Sequence, residues 1–325
     1  MTFDPSEYRV QARRRWGQAA GGWRRHADTL RHATMSVSAW MVDAIAPQPG
    51  QDVLELAAGP GDTGFLAAEL IRPGGTLICS DVTPEMLTAA QERAKELAMH
   101  NVRFLQVDAE SIDLPTASVD SALCRWGYML LVDPEAGLRE TRRVLRPGGK
   151  VSLAAWTGPE ENVWLSAASA ELVKRGLMEP PEPGVPGPFA WAKEGVIAET
   201  LDDAGFTDHE IDTVEFAMRY RGGVDDWWQT TYDTSTTFRA TVDALEPGVR
   251  DELRAALAER VTRHVGPDGV LTLPARTWVA VAEALRIRSR SRPAPGPTCS
   301  ATRRVLSHSW GRRPTWSRRP PATGC

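Results

Sequence analysis

The segment VLELAAGPGDTG, Val53–Gly64, runs from an apolar strand with an acidic side chain, Glu55, into a glycine-rich turn that opens a helix. Its glycines, Gly59, Gly61 and Gly64, allow the backbone to approach a ligand closely. The start of the helix offers free N–H groups and the positive end of the helix dipole, which suit a carboxylate or a phosphate. Because the glycines also match G-x-G-x-x-G, this segment alone leaves a dinucleotide and other nucleoside ligands open.

Acidic side chains also close the next two predicted strands. Asp81 ends the strand Thr76–Ser80, and a carboxylate at this point can accept two hydrogen bonds from a ribose diol. Asp108 follows the strand Val102–Val107, where it can accept a hydrogen bond from the exocyclic amine of adenine. A lone acid at a strand end is commonly a solvated cap, so the case for Asp108 depends on its place as the third acid in this series.

A helix start follows the second of these acids. Thr83 suits the N-cap, Pro84 the first helical position and Glu85 the first turn. Met86 then lies on the first turn, where its side chain can pack either on an adenine face or in the ordinary core.

Apolar strands alternate with helices between residues 52 and 156. The predicted strands are Val53–Ala57, Thr76–Ser80, Val102–Val107, Val119–Cys124 and Lys150–Ala155. Helices are predicted after Gly61, Pro84 and Asp133. This alternation implies parallel pairing through right-handed crossovers, and therefore an α/β fold with a doubly wound, mostly parallel sheet.

Further elements follow in the second half of the chain. The strands His209–Arg219 and Val270–Ala282 bring the predicted sheet to seven strands. A helix is predicted over Ala192–Ala204. The helices Asp225–Tyr232 and Gly248–His264 form a predicted helical insert late in the chain.

The pattern divides the chain into three parts. Residues 1–49 read as an N-terminal helical cap, in which the pair Gly21-Gly22 is expected to interrupt the Arg-rich first helix. Residues 50–285 form the predicted ligand-binding domain, with its core motifs in 50–157 and its substrate-side elements in 158–285. The remainder, 286–325, is rich in Arg and Pro and lacks apolar periodicity, which predicts a disordered tail and leaves a nucleic-acid-binding or regulatory arm as the alternative.

Charge and composition exclude several classes of protein. The net charge is −4, and the ten arginines after residue 285 leave the preceding residues at −14. Such an acidic body argues against a nucleic-acid partner, because phosphate binding needs a basic groove. The four cysteines form no C-x-x-C pair and no His cluster accompanies them, so no metal site is predicted. No apolar run reaches the ~18–20 residues of a membrane span and no secretory signal is recognised, so we expect no stable membrane insertion and a cytoplasmic location.

Taken in order, these motifs resemble those of a known family. Glu55-x-Ala57-x-Gly59-x-Gly61, Asp81, Asp108 and the run Arg142–Lys150 (RRVLRPGGK) are similar to the motifs of class I S-adenosylmethionine-dependent methyltransferases. The branch they resemble includes the ubiquinone/menaquinone-biosynthesis C-methyltransferases and is methyltransferase type 11-like. The resemblance covers residues 50–157 strongly and continues more weakly to about 284. It implies a Rossmann-like fold, S-adenosyl-L-methionine as the cofactor, and methylation of a small organic acceptor of quinol, phenolic or lipid-like character.

The resemblance also implies roles for individual residues. Glu55, Gly59 and Gly61 would line the methionine part of the cofactor, and Ala57 stands where many members have the first glycine of the turn. The residues implied for the rest of the cofactor are Asp81 for the ribose, Val82 and Met86 for the faces of adenine, Asp108 and Ala109 for its edge, and Arg125 for the amino-acid end and substrate mouth.

Methyl transfer from a sulfonium is an in-line displacement that depends chiefly on alignment and needs no metal. A phenol or alcohol acceptor would also need a base, for which His26, His32 and Tyr128 are candidates. The candidate substrate contacts are aromatic residues outside the cofactor strands, namely Trp16, Trp23, Trp126, Tyr128, Trp227 and Trp228. Simple packing of the cap on the core is the alternative for these aromatics, and surface exposure is the alternative for both histidines.

Two other functions compete with methyl transfer. An NAD(P)-dependent oxidoreductase would share the glycine pattern and Asp81, but the chain has no Tyr-x-x-x-Lys pair. A non-catalytic protein that binds S-adenosylmethionine could keep the same fold, because fold does not guarantee activity. The motifs leave the acceptor, the atom methylated and the oligomeric state open, with a homodimer among the alternatives.

Overall fold

The computed structural model describes residues 4–182 and 184–284. Within them, seven strands form one sheet in the order β3-β2-β1-β4-β5-β7-β6. The strands are β1 Asp52–Glu55, β2 Thr76–Asp81, β3 Val102–Gln106, β4 Val119–Arg125, β5 Leu145–Trp156, β6 Phe206–Tyr220 and β7 Leu271–Ala284. Strands β1 to β5 pair in parallel, whereas β7 runs antiparallel to both β5 and β6. The predicted α/β, Rossmann-like, seven-stranded fold is therefore confirmed, with a sheet that is mixed at one side.

Ten helices lie in the described part of the chain. They are α1 Pro5–Arg25, α2 Ala27–Ile45, α3 Thr63–Leu70, α4 Pro84–Glu96, α5 Pro134–Val144, α6 Val163–Lys174, α7 Val196–Asp203, α8 Gly223–Thr234, α9 Thr236–Asp243 and α10 Pro247–Thr262. Helices α8, α9 and α10 lie between β6 and β7, where the sequence predicts a late helical insert. Helices α6 and α9 were not predicted. Within these ranges, no helix combines the length and apolar composition of a membrane span.

The first helix contradicts one prediction, because α1 continues through Gly21 and Gly22 without a break. Its start follows the usual rules: Asp4 accepts hydrogen bonds from the main-chain N–H groups of Ser6 and Glu7. Gly22 has a packing role instead, since a Cβ there would lie 1.9 Å from the main-chain oxygen of Asp233 in α8. The glycine therefore permits close contact between two helices.

Three apolar clusters hold the elements together. Helices α2, α3 and α4 cover one face of the sheet with buried side chains that include Val37, Met41 and Phe65. Helices α5 and α7 contribute Leu138 and Leu201 to the cluster on β4 and β5. A third cluster joins α6 and the insert to the ends of β6 and β7. Because β1 to β4 pair in parallel, their carboxyl ends lie along one edge of the sheet, beside α1 and α2.

Candidate active site

The carboxylate at the end of β1 is held by the turn that follows it. Glu55 is 3% exposed, and its Oε1 accepts a 2.8 Å hydrogen bond from the main-chain N–H of Gly64. A Cβ at Gly64 would lie 2.3 Å from Glu55 Oε2, so a larger residue there would displace the Glu55 carboxyl group. Oε2 is buried without a hydrogen-bond partner, and burial raises the pKa of the carboxyl group to about 8. The site thus contains a buried polar atom whose hydrogen-bonding capacity the protein does not satisfy.

The second carboxylate, Asp81 at the end of β2, is linked to the same turn. Its Oδ2 accepts from the main-chain N–H of Gly59 at 3.0 Å. Its Oδ1 accepts from the N–H and the hydroxyl of Thr83 at 3.0 and 2.9 Å. Burial raises the pKa of Asp81, and these hydrogen bonds oppose that effect. The carboxylate is therefore oriented before any ligand binds.

The glycine turn uses backbone conformations that favour glycine. Gly59 and Gly61 have φ of 55° and 77°, and Ala57 has φ of 51°. An alanine in this region is strained by roughly 1–2 kcal/mol, which explains why a glycine is common at this position in the family. Ala57 is exposed, although its two neighbours in sequence are buried. Gly127 lies close to it, since a Cβ added to Gly127 would be 2.8 Å from the Cβ of Ala57.

The third carboxylate contacts the N-terminal helix. Asp108 Oδ2 lies 2.7 Å from a guanidinium nitrogen of Arg13, and its Oδ1 accepts from the N–H of Glu110. Arg9 donates two hydrogen bonds to Glu110 at 2.9 and 2.5 Å. Ala109, between the two acids, is partly buried. Helix α1 therefore borders the place where the sequence predicts the edge of adenine.

The residues implied for the faces of adenine lie at the start of α4. Met86 is 3% exposed and Val82 is half-buried. Since β1, β2 and β3 are parallel neighbours, the structure brings Glu55, Asp81 and Asp108 to the same edge of the sheet, as the sequence predicts.

Arg125, at the end of β4, contacts groups from two helices. Its guanidinium donates to Thr34 Oγ1 of α2 at 2.5 Å and to Asp62 Oδ2 at 3.3 Å. Asp62 also lies 3.7 Å from Arg93 of α4. Asp62 and Arg93 were not identified from the sequence. Asp62 stands inside the quoted glycine segment and could have been noticed, whereas nothing in the sequence near Arg93 marks it.

Aromatic side chains accumulate next to Arg125. Trp126 stacks on Trp156 with ring centroids 4.1 Å apart, and the Arg125 guanidinium lies 4.6 Å from the Trp126 ring. Trp126 Nε1 donates to Thr277 Oγ1. Trp164 of α6 meets Trp156 edge-on at 5.4 Å, and its own Nε1 is buried without a partner. These rings pack between the ends of β4 and β5 and helix α6.

The other aromatic residues predicted to contact substrate lie in α1 and α8. Trp16 and Trp23 pack on each other in α1, with centroids 6.1 Å apart. Trp227 is 1% exposed, and its Nε1 donates to the main-chain oxygen of Trp164. Trp228 packs on Phe238 within the insert. Trp16 and Trp23 thus pack within one helix, whereas Trp227 and Trp228 contact neighbouring helices.

The three candidate bases, His26, Tyr128 and His32, all have a polar side-chain atom within hydrogen-bond distance of another protein group. His26 Nε2 lies 2.9 Å from Asp233 Oδ2, and its Nδ1 lies 3.3 Å from Thr230 Oγ1. The Tyr128 hydroxyl lies 2.6 Å from Thr141 Oγ1, and burial raises the Tyr128 pKa well above its usual value. His32 Nδ1 lies 2.6 Å from the main-chain oxygen of Asp28. As placed, neither Tyr128 nor His26 offers a free proton acceptor.

Comparison with known proteins places these features in context. Residues 32–171 match the model of the ubiE/COQ5 methyltransferase family. The chain is similar to the ubiquinone/menaquinone biosynthesis C-methyltransferase UbiE of Pasteurella multocida, with 30% identity over 119 residues, covering 36% of this chain and 44% of that protein. Its counterpart in Shewanella frigidimarina is 28% identical over 123 residues, covering 38% and 49%. The chain thus spans about half the length of the curated relatives it matches.

Solved structures support the fold. A candidate methyltransferase from Bacillus halodurans C-125 superposes with a TM-score of 0.50 at 19% identity, covering 77% of this chain and 99% of that one. The YcgJ protein of Bacillus subtilis gives a TM-score of 0.50 at 18% identity, covering 76% and 97%. The resemblance that the motifs predict is confirmed: residues 32–171 of this Rossmann-like chain match the ubiE/COQ5 methyltransferase family.

Proposed function

We propose that this chain catalyses S-adenosylmethionine-dependent methylation of a small organic acceptor. The observation that carries the proposal is the shared edge of β1, β2 and β3, where Glu55, Asp81 and Asp108 lie together beside a glycine turn. The match of residues 32–171 to a methyltransferase family supports it.

The residues at this edge of the sheet would suit an adenosyl ligand. Asp81 Oδ2 already accepts a hydrogen bond from the Gly59 N–H. It could also accept one from a ribose hydroxyl, because a carboxylate oxygen can accept more than one hydrogen bond. Asp108 would accept from the adenine amine while keeping Arg13 on its other side. The buried Oε2 of Glu55, which lacks a partner, is available to form a hydrogen bond with a ligand.

When bound, S-adenosylmethionine would supply a methyl group on a sulfonium, with a neutral thioether as the leaving group. The protein's part would be to hold both reactants in line and to exclude water, which together can supply most of the acceleration. We assign no catalytic base, because His26 and Tyr128 are engaged in hydrogen bonds with Asp233 and Thr141.

For the acceptor we propose a quinol, phenolic or lipid-like molecule. The aromatic rings of Trp126, Trp156 and Trp164 beside Arg125 are the features that favour it, since such acceptors bind in apolar, aromatic surroundings. The cytoplasmic location, the exclusion of nucleic-acid partners and a homodimer stay predictions. The second candidate function is binding of S-adenosylmethionine without catalysis, because no residue of the site has been assigned as a base.

The test is transfer of a labelled methyl group. The protein is incubated with S-adenosylmethionine labelled on the methyl carbon and a panel of quinols, phenols and fatty acids. We expect label in at least one acceptor, and loss of transfer in Asp81→Ala but not in Asp203→Ala, which changes an exposed acid of α7. Thermal stabilisation by NADH and not by S-adenosylhomocysteine would contradict the proposal.

A further inference from the structure

A pocket of about 240 Å³ lies within the late helical insert, between α8, α9 and α10. We call it the insert pocket. Trp228 and Tyr232 of α8 form one wall, because residues four apart lie on the same face of a helix. Val242 of α9 and Arg250 of α10 line it as well. Sites for drug-sized ligands usually measure ~300–1,000 Å³, so this pocket suits a smaller molecule.

The insert pocket lies on the side of α8 that faces away from the N-terminal cap. The buried side of α8 includes Trp227, Thr230 and Asp233, and the last two lie at the ring nitrogens of the histidine that precedes α2. At 3.6 residues per turn, Trp228 and Tyr232 point to roughly the opposite side of the helix. A ligand in the insert pocket would therefore not contact the cap through α8.

The guanidinium group of Arg250 has an unused edge in this pocket. Its Nε is buried without a hydrogen-bond partner. Its Nη2 reaches the main-chain oxygen of Leu245 only at 3.5 Å, beyond the usual range of an N–H···O bond. In the described part of the chain, Arg250 belongs to no ion pair. Because Nε and Nη2 form the edge that binds carboxylates through two parallel hydrogen bonds, Arg250 is open to such a ligand.

Other charged groups around the pocket already have partners. Arg254 lies 2.7 Å from Asp225 Oδ1, and its guanidinium carbon is 5.6 Å from the centre of the Trp228 ring. The Tyr232 hydroxyl donates to Asp243 Oδ1 at 2.7 Å. These contacts leave the guanidinium edge of Arg250 as the group that a ligand can satisfy.

Two acids at the pocket limit the charge that a ligand can carry. Asp243 and Asp251 both line it, and their negative charges would repel an anion. The repulsion is about twice as large for a phosphate group, which carries nearly two negative charges, as for a carboxylate, which carries one. A single carboxylate therefore suits Arg250 better than a phosphate does.

We propose that the insert pocket binds a small aromatic carboxylate. The carboxylate pairs with the free edge of Arg250, and the aromatic ring of the ligand packs against Trp228. The proposal does not depend on methyl transfer, because the insert pocket shares no residue with the sheet edge that carries Glu55 and Asp81. The competing interpretation is a gap between three packed helices that binds no ligand.

Four probes separate these interpretations with the full chain. 3-Phenylpropionate has both the ring and the carboxylate, 3-phenyl-1-propanol has the ring alone, propionate has the carboxylate alone, and inorganic phosphate is the doubly charged anion. Titration followed by ligand-observed NMR gives each dissociation constant. We expect 3-phenylpropionate to bind at least about tenfold more tightly than each of the other three, the scale of one charge-assisted hydrogen bond.

Variants locate the bound probe. Arg250→Gln should raise the dissociation constant of 3-phenylpropionate roughly tenfold or more, because the paired donor edge is lost. Arg263→Gln, which changes an exposed arginine at the end of the same helix, should change it less than about twofold. Urea unfolding shows whether each variant is folded. The comparison of the four probes on the wild-type protein stands even if Arg250→Gln does not fold.

Several results would overturn the insert pocket as a binding site. They are no saturable binding of 3-phenylpropionate up to about 10 mM, equal binding of 3-phenyl-1-propanol, tighter binding of phosphate, and equal binding to the wild type and a folded Arg250→Gln variant. None of them bears on methyl transfer or on S-adenosylhomocysteine binding, which are measured separately. The insert pocket and the proposed function can therefore fail independently.

Discussion

The main-chain N–H of Gly59 donates a 3.0 Å hydrogen bond to the carboxylate of Asp81, which joins the glycine turn after β1 to the end of β2. Two motifs separated by 22 positions in sequence are thereby brought into direct contact. The carboxylate is oriented by this bond and by Thr83, so a ligand meets an acceptor whose rotamer is already set. Such preorganisation lowers the entropic cost of binding.

Replacing this carboxylate should weaken nucleoside binding. Under the proposed function Asp81→Ala would remove two hydrogen bonds to the ribose, and we expect a loss of about 1.5–3 kcal/mol in the binding free energy of S-adenosylhomocysteine. Isothermal titration calorimetry measures the change, with the exposed Asp203→Ala as the control. An unchanged dissociation constant in Asp81→Ala would mean that this residue does not hold the ribose.

The buried Glu55 predicts a pH-dependent contribution to stability. Burial raises its pKa from 4.5 to about 8, so the folded protein keeps a proton that the unfolded chain releases. The contribution is fully present below the unfolded pKa and is lost as the pH rises through about 8. Glu55→Gln keeps an acceptor for Gly64 and removes the titration.

Urea unfolding of both proteins at about pH 5 and about pH 9 checks this prediction. The wild type should lose stability relative to Glu55→Gln at the higher pH, by an amount on the order of 4 kcal/mol at most. Parallel pH dependence of the two proteins would show that Glu55 titrates normally.

Adjacent glycines in α1 should respond in opposite ways to alanine. A Cβ at Gly22 would lie 1.9 Å from the Asp233 oxygen, so Gly22→Ala should destabilise the fold by about 1–3 kcal/mol or more. At Gly21 the nearest atom is 3.8 Å away, and Gly21→Ala should stabilise the helix by roughly 0.5–1 kcal/mol. The free energy of unfolding in urea distinguishes them. Equal effects would mean that α1 and α8 are not in close contact.

The ion pairs of α1 should control how tightly this helix covers the cleft. Arg9 donates twice to Glu110, and Arg9→Ala should therefore increase hydrogen exchange in the first half of α1 by several-fold. The helices of the sheet domain should keep their protection. Arg14→Ala, which changes an exposed residue of the same helix, serves as the control. The prediction fails if the two variants exchange alike.

Local patterns were sufficient to predict the sheet and the edge at which its three acidic side chains lie. The strands β1 to β4 are short apolar runs bounded by turns. The acids at the ends of β1, β2 and β3 lie together because parallel pairing brings carboxyl ends to one edge. The roles of Glu55, Asp81 and Asp108 stay predictions, but their convergence could be foreseen from this rule alone.

Features that depend on contacts between distant segments could not be predicted. Gly21 and Gly22 suggested a break, because the position of Asp233 against α1 is not visible in the local pattern. Arg93 lies within an ordinary amphipathic helix, and only the fold brings it to Asp62. His26 reads as a candidate base until Asp233 and Thr230, more than 200 residues later, are found at its ring nitrogens. The predicted tail, 286–325, lies outside the described residues.

The central claim is that an adenosyl group lies across the carboxyl ends of β1, β2 and β3. A crystal structure of the protein with S-adenosylhomocysteine tests it most directly. We expect the ribose hydroxyls within about 2.5–3.0 Å of the Asp81 carboxylate and the adenine amine facing Asp108. A nucleoside bound elsewhere, with Asp81 still bonded only to Gly59 and Thr83, would contradict the account.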